Sequence, residues 1–227
     1  MPVITEWPAL LSLESLWKWH GIKCRGGVHP KFKERAPDVL AEAGEMQLIQ
    51  PRLAFEIFSV EDVDDLLAEM PKAADRIKTA EKLAVAVATI GPGVEQRINK
   101  LFAEKKALKA LVYEELGVAA MFKLSNEVLK RIQKGAAEYN LKASGPIHPG
   151  DNDADLSLQH KVYKLTDASR IDVSVIESGM LKPAKSLSII VGYGEDLVRW
   201  KREENCKTCQ VRDVCRYRNR ETELVMA

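Results

Sequence analysis

The chain has little of what would place it in a membrane, in an exported disulfide framework or on a polyanion. Its longest apolar run is LAVAVATI at 83–90, far short of the roughly 20 residues that a bilayer-spanning helix needs. Neither sign of charge dominates: 34 Lys and Arg stand against 33 Asp and Glu, a net charge of +1. Nucleic-acid binders concentrate excess Lys and Arg, so neither a nucleic acid nor a membrane is the expected partner. The first residues include Pro2, Thr5, Glu6 and Trp7 and form no basic segment leading into an apolar one, so a cytoplasmic setting is expected. No Ser-His-Asp grouping, HExxH helix or pair of carboxylates stands out among 33 acidic residues and four histidines, which leaves hydrolytic chemistry without support.

Cysteine is also scarce, but its placement is informative. Of Cys24, Cys206, Cys209 and Cys215, three fall in the last 22 residues with the spacing C-x2-C-x5-C. Without an export signal, such clustering favours metal ligation or thiol chemistry over disulfides. Cys206, Cys209 and Cys215 can converge on one centre, and a closed tetrahedral site needs a fourth ligand, for which Cys24 is the candidate. Three thiolates can equally hold a [4Fe–4S] cluster with one iron open. Lys207, Arg212, Arg216 and Arg218 surround the thiolates and would offset their charge. Iron–sulfur, zinc and reduced thiols all stay open at this point.

The rest of the chain is 46% apolar and 30% charged over 227 residues, an ordinary globular composition with enough length for a sizeable core. Helical spacing is expected over 10–19. A polar stretch at 23–37 reads as a loop, and 38–43 as a short helix stopped by Gly44. Residues 52–58 alternate Leu53, Phe55 and Ile57 as a half-buried strand, and Ser59 is the expected cap of a helix carrying Val60, Val63, Leu66 and Leu67. LAVAVATI suits a central strand buried on both faces, closed by Gly91-Pro92-Gly93, with a buried helix of the same composition as the alternative. That turn precedes a helix but lacks a Gly-Lys-Ser/Thr ending, which excludes a P-loop. Helices are expected over 94–116 and 117–139, a loop over 142–156 and a helix over 158–168. Strands are expected at 171–176 and 186–191. Two strands only about ten residues apart can pair antiparallel without a crossover helix, so the fold class is α+β. Residues 1–200 read as one such domain and 201–227 as a Cys-rich appendage.

Four segments carry a family resemblance: 84–102 (AVAVATIGPGVEQRINKLF), 111–130 (LVYEELGVAAMFKLSNEVLK), 148–194 (HPGDNDADLSLQHKVYKLTDASRIDVSVIESGMLKPAKSLSIIVGYG) and the Cys-rich end. In this order they resemble the reactivation domain of cobalamin-dependent methionine synthase, and more closely its free-standing relatives from anaerobic microbes. The resemblance implies a helmet-like fold around a mainly antiparallel sheet, with helices flanking it. It implies a shallow groove for S-adenosylmethionine that caps the corrinoid of a partner module. It also implies reductive methylation, in which an electron donor reduces inert cobalt(II) and the methyl donor traps the product as methyl-cobalt(III).

Residue roles follow from the same resemblance. Glu127 falls where the family has an acidic residue near the methyl donor; otherwise it is a solvated carboxylate beside Lys130 and Arg131. His148, Pro149, Gly150 and Asp151 fall on the binding loop, where Gly permits close backbone approach and Pro sets the chain direction. His148 would meet cobalt or a corrinoid side chain, unless it is simply exposed. Met180, Lys185 and Ser186, in MLKPAKS, fall on the turn beside the groove, where Lys185 and Ser186 would reach phosphate or amide groups of the corrinoid; otherwise this is a strand-entry turn with Lys185 exposed.

The family loop carries an Arg, a short spacer and Pro-Gly-Tyr. Counting back from Asp155-Leu156-Ser157-Leu158-Gln159 without gaps puts Pro149-Gly150-Asp151 on that tripeptide and Pro146 on the Arg. Sliding the loop puts Gly145-Pro146-Ile147 there and leaves Lys142 for the Arg. Either way the guanidinium and the aromatic ring are lost, and a Lys does not clamp a carboxylate bidentately. The expected partners are a corrinoid protein or corrinoid-dependent methyltransferase and an electron-donor protein. The expected role is accessory to reductive reactivation, with a Cys-bound cluster passing the electron. The alternatives are a non-catalytic corrinoid carrier and a scaffold with structural zinc.

Overall fold

The computed structural model describes residues 3–7, 10–17, 28–151, 154–200, 204–205, 209 and 212–215. A short strand β1 (Val3–Ile4) is followed by helix α1 (Pro30–Glu45) and strand β2 (Arg52–Ser59). A 3₁₀ turn at Val60–Val63 leads into the short helices α2 (Asp64–Ala68) and α3 (Pro71–Arg76). Strand β3 (Lys82–Thr89), helix α4 (Gly93–Ala103) and the long helix α5 (Ala107–Glu138) come next. The remainder is β4 (Lys142–Ala143), α6 (Gln159–Thr166), the two-residue strands β5 (Ser174–Val175) and β6 (Leu181–Lys182), and β7 (Ser186–Gly194).

Five strands form one antiparallel sheet in the order β1-β2-β3-β7-β4. The central strand is β3, paired along its length with β2 and β7. That position explains its unbroken apolar sequence, because both faces of β3 are covered. Ala84, Ala86 and Ala88 face one core, together with Leu53, Ile189, Val191 and Tyr193 and the inner sides of α1, α4 and α5. Leu83, Val85 and Val87 face the other, together with Ile190, α2, α3, α6, Ile147, Leu197 and Trp200. The architecture is therefore helices, sheet, then short helices and loops. Small alanines on one face of β3 let the long helix approach, and Tyr193 donates its hydroxyl across that gap to the Ile132 carbonyl at 2.6 Å. No helix among the described residues is long and apolar enough to cross a membrane.

The α+β class and the long strands β2, β3 and β7 are as expected, but several details differ: β1, β4 and β6 lie outside the expected strands, β4 at the start of the expected loop 142–156. Strands 171–176 and 186–191 do not pair with each other. Ser174 and Val175 pair with Lys182 and Leu181 in a separate ribbon, and β7 pairs with β3 instead. Residues 83–88 of β3 are all apolar and pair with 187–192 of β7, burying both strands in the sheet centre. The expected break between loop and helix near 37 is also absent. Helix α1 starts at Pro30 and carries Pro37 inside it; Phe32, Ala36, Val39 and Ala43 make one buried stripe that overrides the lost backbone bond. The two long helices divide at 104–106, not at Gly117. Lys105 takes a left-handed φ of 58° there, and Gly117 lies buried inside α5.

Candidate functional site

The loop 144–158 and the turn 176–186 converge at the start of β7. Segment 144–147 is stitched to β7 on its far side: the Ser144 amide donates to the Gly192 carbonyl at 2.9 Å, the Gly192 amide to Ser144 Oγ at 3.0 Å, and Ile147 and Ile190 exchange two amide bonds. Strand β4 pairs only with Tyr193 and Gly194, so the first half of β7 is left at the sheet edge. His148 follows Ile147 directly, and its Nδ1 donates to the Ser188 carbonyl on that edge at 2.8 Å. The ring is half-buried and held, in place of the loosely exposed loop residue that composition alone allows.

Pro149-Gly150-Asp151 closes a tight turn. The Asp151 amide donates to the His148 carbonyl and the Gly150 amide to the Ala154 carbonyl, both at 2.9 Å. Gly150 sits at φ +93°, and a Cβ there would stand 3.4 Å from the Leu156 side chain. From the other segment, Gly179 at φ +83° presses on the same residue; a Cβ there would lie 2.9 Å from the Leu156 carbonyl oxygen. Leu156 is thus the common neighbour of the two glycines, and Met180 follows Gly179. Leu156 is 36% and Met180 56% exposed, so two apolar side chains flank two glycine turns at the surface. Sequence reasoning picked out Gly150 and Met180 but not Leu156 or Gly179, although a Ser-Gly dipeptide between two short strands is a turn signal.

The rest of the turn is committed to structure. The Lys182–Pro183 peptide is cis, the Ala184 amide donates to Glu95 of α4 at 2.9 Å, and Lys185 Nζ donates to Glu114 of α5 at 2.6 Å. The Lys185 stem runs over Gly117, where a Cβ would lie 2.9 Å from Cε; close passage is what this glycine provides. Ser186 Oγ donates to Thr89 Oγ1 at 2.9 Å, and Thr89 Oγ1 accepts from the Gly91 amide at 3.0 Å. Lys185 and Ser186 therefore lock the start of β7 to the end of β3.

Glu127 stands on α5, which covers the opposite face of the sheet from Ile147 and Leu158. Lys130 at 2.9 Å and Lys123 at 3.7 Å pair with it, and the hydrogen bond from Lys130 holds its carboxyl below the usual carboxylate range. Ile147 is buried in the core behind the sheet and Pro149 is buried beside it, whereas Gly150 is exposed and Asp151 half-buried.

Of the four cysteines, Cys24 and Cys206 lie outside the described residues. Cys209 and Cys215 are reduced and half-buried. A turn in which the Arg212 amide donates to the Cys209 carbonyl at 3.0 Å shortens the span between them. Among the described residues no group of three or more metal-ligating side chains is assembled.

No protein-family model matches the chain, and no curated protein matches it in sequence. Solved structures do match. One is the crystal structure of the MetH reactivation domain bound to AdoHcy, with a TM-score of 0.63 over 96% of this chain and 90% of that one, at 12% identity. The chain has that domain's fold.

Proposed function

We propose that the chain is an accessory protein that docks on a corrinoid protein, or corrinoid-dependent methyltransferase, and supports its reductive reactivation. The observation that carries this reading is the shared fold over 96% of the chain with a reactivation domain bound to AdoHcy. The convergence of His148–Asp151, Leu156 and Gly179–Met180 at one sheet edge supports it. A flat macrocycle edge needs backbone that approaches closely and apolar side chains that exclude water, and the two glycine turns with Leu156 and Met180 offer both.

The residues present fit one part of a methyl donor and not another. Leu156, Met180 and the two glycine turns suit an adenosyl or macrocycle face. The carboxylate of an amino-acid moiety has no guanidinium in segment 142–151 to clamp it, so no methyl-transfer step is assigned to this loop. What the chain's own residues do is position: His148 is aimed by Ser188, and the start of β7 is braced by Lys185–Glu114 and Ser186–Thr89. Held geometry of this kind raises effective concentration at a partner's reacting centre. Cys206, Cys209 and Cys215, with Cys24 as the candidate fourth ligand, would hold an iron–sulfur cluster; when bound it would supply one electron at a time. The absence of an Arg and of a Tyr from segment 142–151 also favours a second reading, a corrinoid-binding module that kept the groove and does not use the methyl donor.

Two measurements separate these readings. Protein prepared without oxygen is expected to be brown, with iron and sulfide that Cys206→Ser or Cys209→Ser removes. Colourless protein with stoichiometric zinc contradicts the electron-transfer role. Calorimetric titration with S-adenosylmethionine tests the methyl-donor role, and no heat at millimolar ligand leaves the second reading standing.

A further inference from the structure

Trp200 does not belong to any feature that the proposed role has so far used, yet it is a large side chain seated firmly after β7. It is 8% exposed, and a Cβ on Gly145 would fall 2.4–2.5 Å from three of its ring atoms. The indole therefore lies directly on the backbone of residue 145, and only glycine leaves room for it. The Arg76 guanidinium of α3 stands 3.9 Å from the ring centroid, close enough for a strong cation–π contact. Arg76 also donates to Asn205 Oδ1 at 3.1 Å, and Asn205 Nδ2 reaches the Pro146 carbonyl at 3.5 Å. Leu197 is buried in the same core. The indole Nε1 has no hydrogen-bond partner among the described residues, so shape and the cation hold the ring.

Two facts give this contact meaning. Gly145 and Pro146 lie immediately before Ile147 and His148, in the segment whose other side is stitched to β7. Asn205 immediately precedes Cys206, the first thiol of the C-x2-C-x5-C motif. The wedge thus rests on the backbone that leads into His148, and the Arg76 that covers it bonds the residue before the first thiol. We infer that Trp200 is a positioning residue: seated on Gly145 and covered by Arg76, it fixes Asn205 against the loop that carries His148. Its use in electron delivery rests on the proposed function; the contact and its coupling do not.

The test uses the full chain without ligand. Trypsin cleavage after Arg199, Lys201 and Arg202 is timed and mapped by mass spectrometry, and amide hydrogen exchange is followed over 144–151, with 84–88 of β3 as the folding control. Trp200→Ala and Gly145→Ala should each raise cleavage and loop exchange by about tenfold while β3 stays protected. The double variant should be no worse than Trp200→Ala alone, because both remove one contact. Trp200→Phe, which keeps a ring under Arg76, should restore most of the protection. If Gly145→Ala loses β3 protection, Trp200→Ala carries the test. Faster cleavage with unchanged loop exchange would show a docked tail that positions nothing, and overturns the inference, as does no change in either. Both readouts are independent of S-adenosylmethionine and of metal, so a failed titration leaves this result intact.

Discussion

Gly179 shows how one residue connects backbone conformation to the cleft. It combines φ +83° with a carbonyl 2.9 Å from where a Cβ would be, so Gly179→Ala faces both a left-handed penalty and a clash. The expected cost is about 1–3 kcal/mol, read as a lower urea midpoint, and the Met180 side chain should shift away from Leu156. An unchanged midpoint would show that the turn relaxes freely. Thr89 is the comparable residue at the other end of the turn. Its hydroxyl accepts from Gly91 and from Ser186 and donates to the Lys185 carbonyl at 3.2 Å. Thr89→Val strands those partners at no loss of volume, at an expected cost of about 1–3 kcal/mol in denaturant titration.

Tyr113 gives a pH test at the same scale. Burial pushes its hydroxyl up to about 12 from an ordinary value of 10.0. A raised value in the fold means that the native state keeps its proton after the unfolded chain has lost it. Stability should therefore fall as pH rises from about 10 towards 12. Tyr113→Phe should flatten part of that fall in thermal melts across this window; an equal slope in both proteins would contradict the assignment.

Among elements, the strands were legible and the helix limits were not, for physical reasons. LAVAVATI announces β3 because burial on both faces leaves a single polar side chain, Thr89, at its end, and Leu53, Phe55 and Ile57 announce β2 because they alternate onto the face of one core. The junction at 104–106 gives no glycine or proline: Lys105 adopts φ 58°, a conformation that glycine usually takes. Lys105→Gly should stabilise the chain by about 0.5–1 kcal/mol, measured as a higher urea midpoint. Pro37 misled in the other direction, since the apolar stripe of α1 outweighs it. In the cleft, the Pro149-Gly150 turn and Met180 could be found from residue types. Leu156 and Trp200 could not, because their roles come from contacts across sequence separations that no local pattern encodes.

A half-buried charge cluster ties α1, α4 and α5 together. Glu42 of α1 pairs with Arg97 of α4 and with Lys109 of α5. Burial works against its ionised form, but Lys109 and Arg97 outweigh that and hold the carboxyl below the usual range. A depressed value contributes stability at neutral pH that is lost as pH falls through it. Glu42→Gln should cost about 1.5–3 kcal/mol at pH 7 and progressively less in acid, which thermal melts from pH 7 to 3 would show. A pH-independent difference would mean that the charge contributes nothing beyond its packing.

At the scale of the whole molecule, a five-stranded sheet carries the long helix on one face and, on the other, the short helices, the cleft loop and the Trp200 segment. The start of β7, paired with β3 on one side and met by Ile147 and His148 on the other, lies where these layers meet, and the proposed function depends on that edge receiving a macrocycle held by another polypeptide. The most direct measurement is anaerobic titration of the chain into a cob(II)alamin-loaded corrinoid domain of methionine synthase, followed by calorimetry and visible absorbance. The account predicts a one-to-one complex with a shifted cobalt(II) spectrum, both weakened by Leu156→Asp and Met180→Asp. Neither heat nor a spectral change at hundreds of micromolar, with both proteins folded, would contradict it.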